Sequence, residues 1–301
     1  MGWRGTRNCW VPFPSQGSAR PSPQTLCKVN PDMMKKIAVI TAVILIAGFL
    51  LMGGCSLVES RVARWTTDFN ILPSDSRVLY EDGAEELARD VARHLNNAMS
   101  AVEIRQFGKF QEPIKIYAFA SPESFSKFSG ISDKARGASV GNEIFLSGLM
   151  LGLPDEIYGM VGHELSHVQL SQALGVISFN RNIPRWFREG LAIYVSDGGG
   201  APRNYETETI SMFLEGKHFL PEISGSLFNR SFKSTADIGP KMFYSQSGIF
   251  IYYLANTFPE KFNRFLKGLQ KGKKFKDNFK ECFGVSVTDM LASYIAKLKN
   301  A

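Results

Sequence analysis

The stretch GMVGHELSHVQL, residues 159–170, holds two of the four histidines in a chain of 301 residues. On a helix, His163 and His167 lie one turn apart and point the same way, so both imidazoles can reach one metal ion at about 2.0–2.1 Å. Glu164 follows the first histidine directly, and chance predicts about 0.003 such H-E-x-x-H matches in a chain of this composition. The stretch therefore predicts a helix that binds a metal.

The helix that carries this motif is predicted over Leu153–Leu174. Pro154 is a favoured first residue of a helix, and the two acidic residues that follow it suit the positive end of the helix dipole. Gly162 leaves room for another backbone to approach. Apolar residues give the helix a face to bury, and a buried pair of histidines without a ligand would be costly to desolvate. The pattern favours a metal site over two ordinary histidines.

The third ligand is predicted at Glu189 in RWFREGLAIY, 22 residues beyond His167. Its helix, predicted over 183–196, places this glutamate among apolar residues, where a carboxylate is rarely buried without a partner. Three alternatives remain from the residues alone. Either His94 or His218 is the third ligand in two of them, and in the last Glu189 is a solvated residue beside two arginines.

The remaining patterns predict an α+β fold, in which a small antiparallel or mixed sheet precedes the metal-binding helices and a helical C-terminal part. Gly141-Asn142 is predicted as the turn of a hairpin. Gly190 and Ala192 are expected to let their helix pack closely on the motif helix. The stretch 216–239 has little periodicity and is predicted as loop with short helices. The other predicted elements are helices over 85–103, 121–128, 243–257, 259–269 and 287–298 and strands over 113–120 and 137–147.

The N-terminal part resembles a bacterial export signal. Residues 33–55 read MMKKIAVITAVILIAGFLLMGGC, with two lysines, an apolar run and small residues before Cys55. The stretch LLMGGC is similar to a bacterial lipobox, which implies that Cys55 carries diacylglycerol and that the protein faces the periplasm, with Ser56 indicating the outer membrane. A short transmembrane anchor is the alternative.

This reading divides the chain into four parts. Residues 1–32 are predicted to be untranslated or disordered, with the start at Met33 or Met34. Residues 33–54 form the signal peptide, 55–75 a tether and 76–301 one domain. Residues 1–54 hold six Lys/Arg and one acidic residue of a chain whose net charge is +7. The rest is therefore close to neutral, which argues against a nucleic-acid partner.

HELSH followed by P-R-W-F-R-E-G-L-A-I-Y resembles the gluzincin branch of zinc metallopeptidases, the peptidase MA-like superfamily, over roughly residues 114–298. The resemblance implies that His163, His167 and Glu189 bind one zinc ion and that Glu164 is the general base. It also implies that Tyr244 donates to the oxyanion, although a core aromatic residue is the alternative. The edge strand 138–145 would bind substrate backbone.

The sequence departs from two subgroups of the gluzincins. Ile193 stands where thermolysin-like enzymes carry an aspartate, and the G-A-M-E-N segment of the aminopeptidases is absent. We therefore expect a lipid-anchored zinc endopeptidase of the bacterial envelope, acting on proteins or peptides there. The alternative is a catalytically silent zinc-binding lipoprotein that acts as an assembly or chaperone-like adaptor. Glu164 distinguishes the two, since an adaptor has no need of a general base.

Overall fold

A computed structural model describes residues 55–201, 206–221 and 238–300, together with Thr41. The chain divides into two units, residues 1–54 and 55–301, and the second is described below. The predictions for residues 1–32 and for the signal peptide 33–54 lie outside the described residues, as does most of the stretch 216–239. Among the described helices, none is long and apolar enough to cross a membrane.

A five-stranded mixed sheet forms the early part of the domain, in the order β1-β2-β3-β5-β4. The three central strands β2, β3 and β5 run parallel to one another, and the outer strands β1 and β4 pair antiparallel with β2 and β5. Gly141 has a φ of 63° and lies in the predicted hairpin turn. The strands are β1 (Asn70–Ile71), β2 (Val78–Tyr80), β3 (Lys115–Ala118), β4 (Gly137–Val140) and β5 (Glu143–Leu146).

Helices precede, connect and follow the strands, which confirms the predicted α+β class. The range 55–75, predicted as a tether, contains a helix and strand β1. The helices are α1 (Cys55–Thr66), α2 (Glu85–Arg105), α3 (Pro122–Ser129), α4 (Pro154–Leu174), α5 (Val176–Asn182), α6 (Arg185–Val195), α7 (Glu206–Leu214), α8 (Gly239–Thr257), α9 (Pro259–Gln270), α10 (Phe275–Phe283) and α11 (Val287–Lys299).

The sheet separates two hydrophobic layers, because successive side chains of a strand point to opposite faces. In β3, Ile116 and Ala118 belong to the large core that includes α2, α4, α6 and the C-terminal helices. Tyr117 belongs to a second, aromatic cluster on the other face, with Phe125 and Phe128 of α3. Ala63 of α1 packs against this second cluster.

Helix α4 is buried on nearly all sides, since ten of its residues are buried. Two glutamines fix it against the end of α2. Gln106 donates from Nε2 to the Ser166 carbonyl at 3.0 Å and accepts from Ser166 Oγ at 2.6 Å. Gln169 donates to the Gly108 carbonyl at 2.6 Å and accepts from the Phe107 amide at 3.1 Å. These paired hydrogen bonds satisfy buried polar groups and set the position of the motif helix.

Two details differ from the sequence-based expectations. The edge strand near the motif is β4 alone, because β5, which contains Phe145, lies between β3 and β4. Gly190 does not serve the packing of α6 on α4. A Cβ at this position would meet the Ser247 carbonyl oxygen of α8 at 2.5 Å. This glycine therefore permits close contact between α6 and α8, and such tertiary contacts leave no local signal in the sequence.

Candidate metal centre

Helices α4 and α6 bring together the three predicted ligands. The Nε2 atoms of His163 and His167 lie 3.2 Å apart. Glu189 Oε2 is 3.5 Å from His163 Nε2 and 3.3 Å from His167 Nε2. Within the described residues, these three side chains form the group whose ligand atoms lie close enough together to hold a metal ion.

The spacing of these atoms fits a tetrahedral site. Ligands at about 2.0–2.1 Å from a zinc ion stand about 3.3 Å from one another in a regular tetrahedron. The observed triangle, with edges of 3.2, 3.3 and 3.5 Å, matches one face of such a tetrahedron. The fourth corner has no ligand among the described side chains. The arrangement therefore suits a metal held by three side chains with one open position.

A backbone carbonyl fixes the orientation of the His163 ring through Nδ1, the ring nitrogen outside the ligand triangle. Its Nδ1 lies 2.9 Å from the Gly199 carbonyl oxygen, so an Nδ1–H can donate there and leave Nε2 free to bind a metal. Gly200 has a φ of 77°, and a Cβ there would lie 2.6 Å from the same Nδ1. His167 differs, because its Nδ1 is buried and makes no hydrogen bond with any of the described residues. Only the first histidine has a backbone group that selects its tautomer.

The motif helix α4 packs directly against the backbone of the segment that follows α6, because glycines at the contact have no side chains. A Cβ on Gly159 would lie 2.9 Å from Gly199 Cα, and a Cβ on Gly162 would lie 3.0 Å from Ser196 Cβ. The expectation for Gly162 is thus confirmed. Arg105 of α2 forms an ion pair with Asp197 and donates to the Tyr194 carbonyl. Close packing and this ion pair hold the Gly199 carbonyl where His163 needs it.

Glu189 is partly buried, with 13% of its side chain exposed. Burial alone would raise its pKa, but the facing histidines His167 and His163 hold that pKa well below its usual value. Burial likewise opposes a charge on His163, yet Glu189 and Glu164 raise its pKa. The group thus attracts positive charge. Arg185 lies one turn before Glu189, with Nε 3.8 Å from Oε1, the oxygen that faces away from the histidines.

Glu164, the predicted general base, is buried with 6% exposure. It lies against the edge strand, because a Cβ on Gly137 would be 3.2 Å from Glu164 Oε1 and 2.9 Å from Met160 Sδ. A side chain at position 137 would therefore displace the carboxylate. The hairpin and the motif helix meet at this glycine, which places the base between the ligand helix and the open edge of the sheet.

Tyr244, the predicted oxyanion donor, lies in α8 and connects to the ligand group through one arginine. Its hydroxyl oxygen accepts a hydrogen bond from Arg185 Nη2 at 3.3 Å. The negative charge of Glu189 and then burial raise the pKa of Tyr244 to about 12. The phenol is therefore protonated at neutral pH and keeps a proton to donate.

A cleft of about 830 Å³ opens beside the group. Met160, which contacts Gly137, and Gly200, which lies against His163, line one part, and Tyr244 lines another. The ligand side chains themselves do not line it. The cleft therefore opens beside the group, on the side where Tyr244 lies.

The two alternative histidines stand outside the group of ligand atoms. The His94 ring packs edge-on against Tyr158, with centroids 6.2 Å apart. His218 Nδ1 lies 3.0 Å from the Phe219 carbonyl oxygen. The sequence placed Arg185 beside Glu189 only in the alternative of a solvated glutamate, and it did not predict the contact of Arg185 with Tyr244. The contact with Glu189 follows from the helix, because residues i and i+4 are neighbours.

In comparisons with known proteins, no family model and no curated protein matches this chain. The site is thus defined by its own geometry.

Proposed function

We propose that this domain is a zinc-dependent peptidase, held at the bacterial envelope by a lipid on Cys55. The observation that carries the proposal is the triangle formed by His163 Nε2, His167 Nε2 and Glu189 Oε2, with edges of 3.2–3.5 Å. Two imidazoles and one carboxylate form a donor set used by catalytic zinc sites, which keep a fourth position open. The match of the triangle to a tetrahedral face supports zinc as the ion.

Zinc bound there would lower the pKa of a water molecule to about 7 and would polarise a peptide carbonyl. Glu164 is then the base that removes the proton from the attacking water and delivers it to the leaving amine. The burial of Glu164 next to His163 supports this role. A glutamate is rarely buried without a partner, and a catalytic role accounts for a buried carboxylate that is not one of the metal ligands. Gly137 leaves the space that this side chain occupies.

Tyr244 is proposed to donate its phenol proton to the oxyanion that develops on the scissile carbonyl. Arg185 donates to the Tyr244 oxygen, which leaves the phenol hydrogen directed elsewhere. The raised pKa of about 12 keeps this hydrogen in place at neutral pH. Arg185 thus connects the tyrosine to the carboxylate ligand and positions both.

The proposed substrates are proteins or peptides of the envelope. Strand β4 is an edge strand, so its outer backbone groups can pair with an extended chain. Gly137, the first residue of β4, lies against the Glu164 side chain. A peptide paired with β4 would therefore pass close to the general base. Binding of a peptide along β4 supports an endopeptidase, because an extended chain can continue past the strand in both directions.

The decisive experiment compares Glu164→Gln with the wild-type protein loaded with zinc. We expect Glu164→Gln to keep one zinc per chain and to lose at least about 10²-fold in turnover of a fluorescently labelled unfolded protein, because it removes the base and leaves the ligands. Glu123→Gln, an exposed change on α3, serves as the control and should keep full activity.

Three outcomes would contradict parts of the proposal. Equal turnover by Glu164→Gln and wild type would assign the base elsewhere. A wild-type protein that binds zinc but cleaves no substrate would favour the adaptor. Absence of zinc from the wild-type protein would remove the metal site itself.

A further inference from the structure

Helix α1 is anchored to the domain by a buried arginine. Only 6% of the Arg64 side chain is exposed, and its Nη2 lies 3.2 Å from Glu143 Oε2 in β5. The same guanidinium donates to the Phe128 carbonyl of α3 and lies 4.9 Å from the centre of the Phe145 ring. A buried charge with three partners is costly to release. The first helix after Cys55 is therefore a fixed part of the domain.

The opposite face of α1 presents two large apolar side chains. Trp65 is 81% exposed and Val62 is 49% exposed within the described part of the chain. At about 100° per residue, these two lie on the side of the helix away from Ser60 and Arg64. Ser60 is 1% exposed, so the helix has one docked face and one apolar face without a partner among the described residues.

The preceding chain indicates what this apolar face contacts. The apolar run Ile37–Met52 ends three residues before α1 begins at Cys55. A lipid on Cys55 and a membrane anchor both bring a bilayer to this end of the helix. Twelve residues of helix span only about 18 Å, so Trp65 stays near that surface. Tryptophan favours the membrane interface, where its ring is buried and its N–H is solvated.

Charge has a smaller part in this contact. Arg61 and Glu59 are both exposed on α1 and carry opposite charges. Attraction to anionic headgroups through Arg61 is therefore offset by Glu59, and insertion of the apolar pair supplies the favourable energy. Removal of the tryptophan and valine side chains from water is the larger favourable contribution.

We infer that the Val62–Trp65 face of α1 lies in the interface of a lipid bilayer and fixes the orientation of the domain on the membrane. The connection to the site runs through rigid elements. Arg64 holds Glu143 of β5, β5 pairs with β4, and Gly137 of β4 contacts Glu164. The cleft would thus face a set direction relative to the membrane. This inference rests on the proposed membrane attachment of the chain at or before Cys55, and it does not depend on a metal or on catalysis.

The test uses the full chain with Trp3→Phe and Trp10→Phe, reconstituted in vesicles of phosphatidylethanolamine and phosphatidylglycerol. Trp65 and the buried Trp186 then remain, and a Trp65→Phe variant gives the Trp186 signal alone. We expect phospholipid brominated on the acyl chain near the headgroup to reduce Trp65 emission about two-fold or more, since interfacial side chains reach this depth. Vesicles should also shield Trp65 from aqueous iodide.

A matched control places a tryptophan at another exposed position. Ile104 is 84% exposed at the end of α2, on the other side of the sheet. Ile104→Trp in the Trp65→Phe background should remain open to iodide and should not respond to brominated lipid. Equal quenching of both positions by brominated lipid would contradict a fixed orientation.

The remaining outcomes also decide the question. If iodide quenches Trp65 equally with and without vesicles, the face is solvated and the inference is wrong. If Trp65 is shielded from iodide but brominated lipid has no effect, a protein surface covers α1 and the lipid contact is refuted. Both results would leave the peptidase proposal intact, because that proposal is tested by Glu164→Gln.

Discussion

Two clusters of polar side chains in this domain differ in how the charge of their carboxylate is balanced. In the first, Arg77 donates from Nε to Asp75 Oδ1 at 2.8 Å and from Nη2 to Asn96 Oδ1 at 2.7 Å. In the second, two imidazole nitrogens and one carboxylate oxygen face one another at 3.2–3.5 Å, with no arginine or lysine nitrogen from the described part of the chain between them. In the first cluster the cation bonds directly to both partners. In the second, Arg185 reaches only Oε1 of Glu189, at 3.8 Å, so the three facing ligand atoms require a proton or a metal. This difference separates an ordinary ion pair from a metal site.

The largest effect should follow removal of the carboxylate ligand. Glu189→Ala is expected to weaken zinc binding by at least about 10³-fold. Loss of a residue that only supports a ligand already lowers metal affinity by about 10–100-fold. Competition with a coloured chelator measures the affinity. Asp75→Ala, which disrupts the first cluster, should change zinc affinity less than about two-fold. Tight, stoichiometric zinc in Glu189→Ala would place the third ligand elsewhere.

A smaller effect is expected where α6 meets α8. Gly190→Ala places a Cβ 2.5 Å from the Ser247 carbonyl oxygen, and the helices must shift. We expect a loss of about 1–3 kcal/mol in the free energy of unfolding, although alanine favours helices over glycine. Urea unfolding measures this change. Ser293→Ala, a change at an exposed position of α11, is the control. An increase in stability for Gly190→Ala would show that the helices do not touch there.

The arginine behind Glu189 should have a further, more modest effect. Arg185→Ala is expected to weaken zinc binding about ten-fold, because the Oε1 oxygen of Glu189 loses a partner that orients the carboxylate. Arg185→Lys should recover only part of this affinity, since an ammonium cannot reproduce the planar contacts. Arg181→Ala, which removes an exposed charge on neighbouring α5, is the control. Equal weakening in that variant would assign the effect to general electrostatics.

The smallest effect concerns the first cluster. The Arg77 guanidinium, through its side-chain hydrogen bonds, lowers the pKa of Asp75 below its usual 3.8. The unfolded chain therefore binds this proton more readily, so the contribution to stability is complete above about pH 4 and is lost as pH falls through the lower folded pKa. Asp75→Asn should cost at most about 1 kcal/mol at pH 6. The difference from wild type should shrink as the pH falls below about 4, as measured by urea unfolding at each pH.

Local signals in the sequence predicted the ligand helix and the hairpin. Pro154 begins α4 and Gly141-Asn142 forms the turn between β4 and β5, both as expected. The H-E-x-x-H spacing determines the histidine geometry within one helix. Resemblance to a family, together with burial, indicated Glu189, and the structure brings it to the histidines.

Long-range contacts account for what the sequence did not predict. Strands β1 and β2 have two and three residues and leave almost no alternating pattern. The docking of α1 depends on Arg64 reaching Glu143, a partner 79 residues away, which no periodic pattern encodes. The role of Gly190 depends in the same way on Ser247 of a distant helix.

The glycines behind His163 restrict how this sequence can change over evolution. Gly159 and Gly199 exclude any Cβ between their backbones, and a Cβ at Gly200 would overlap the His163 ring. Substitution at one of these positions cannot be repaired by a single change at another, because both sides already lack side chains. A divergent relative that keeps the three ligands must therefore keep glycines here too. Together, glycines and ligands form a longer signature than H-E-x-x-H, by which distant relatives could be recognised.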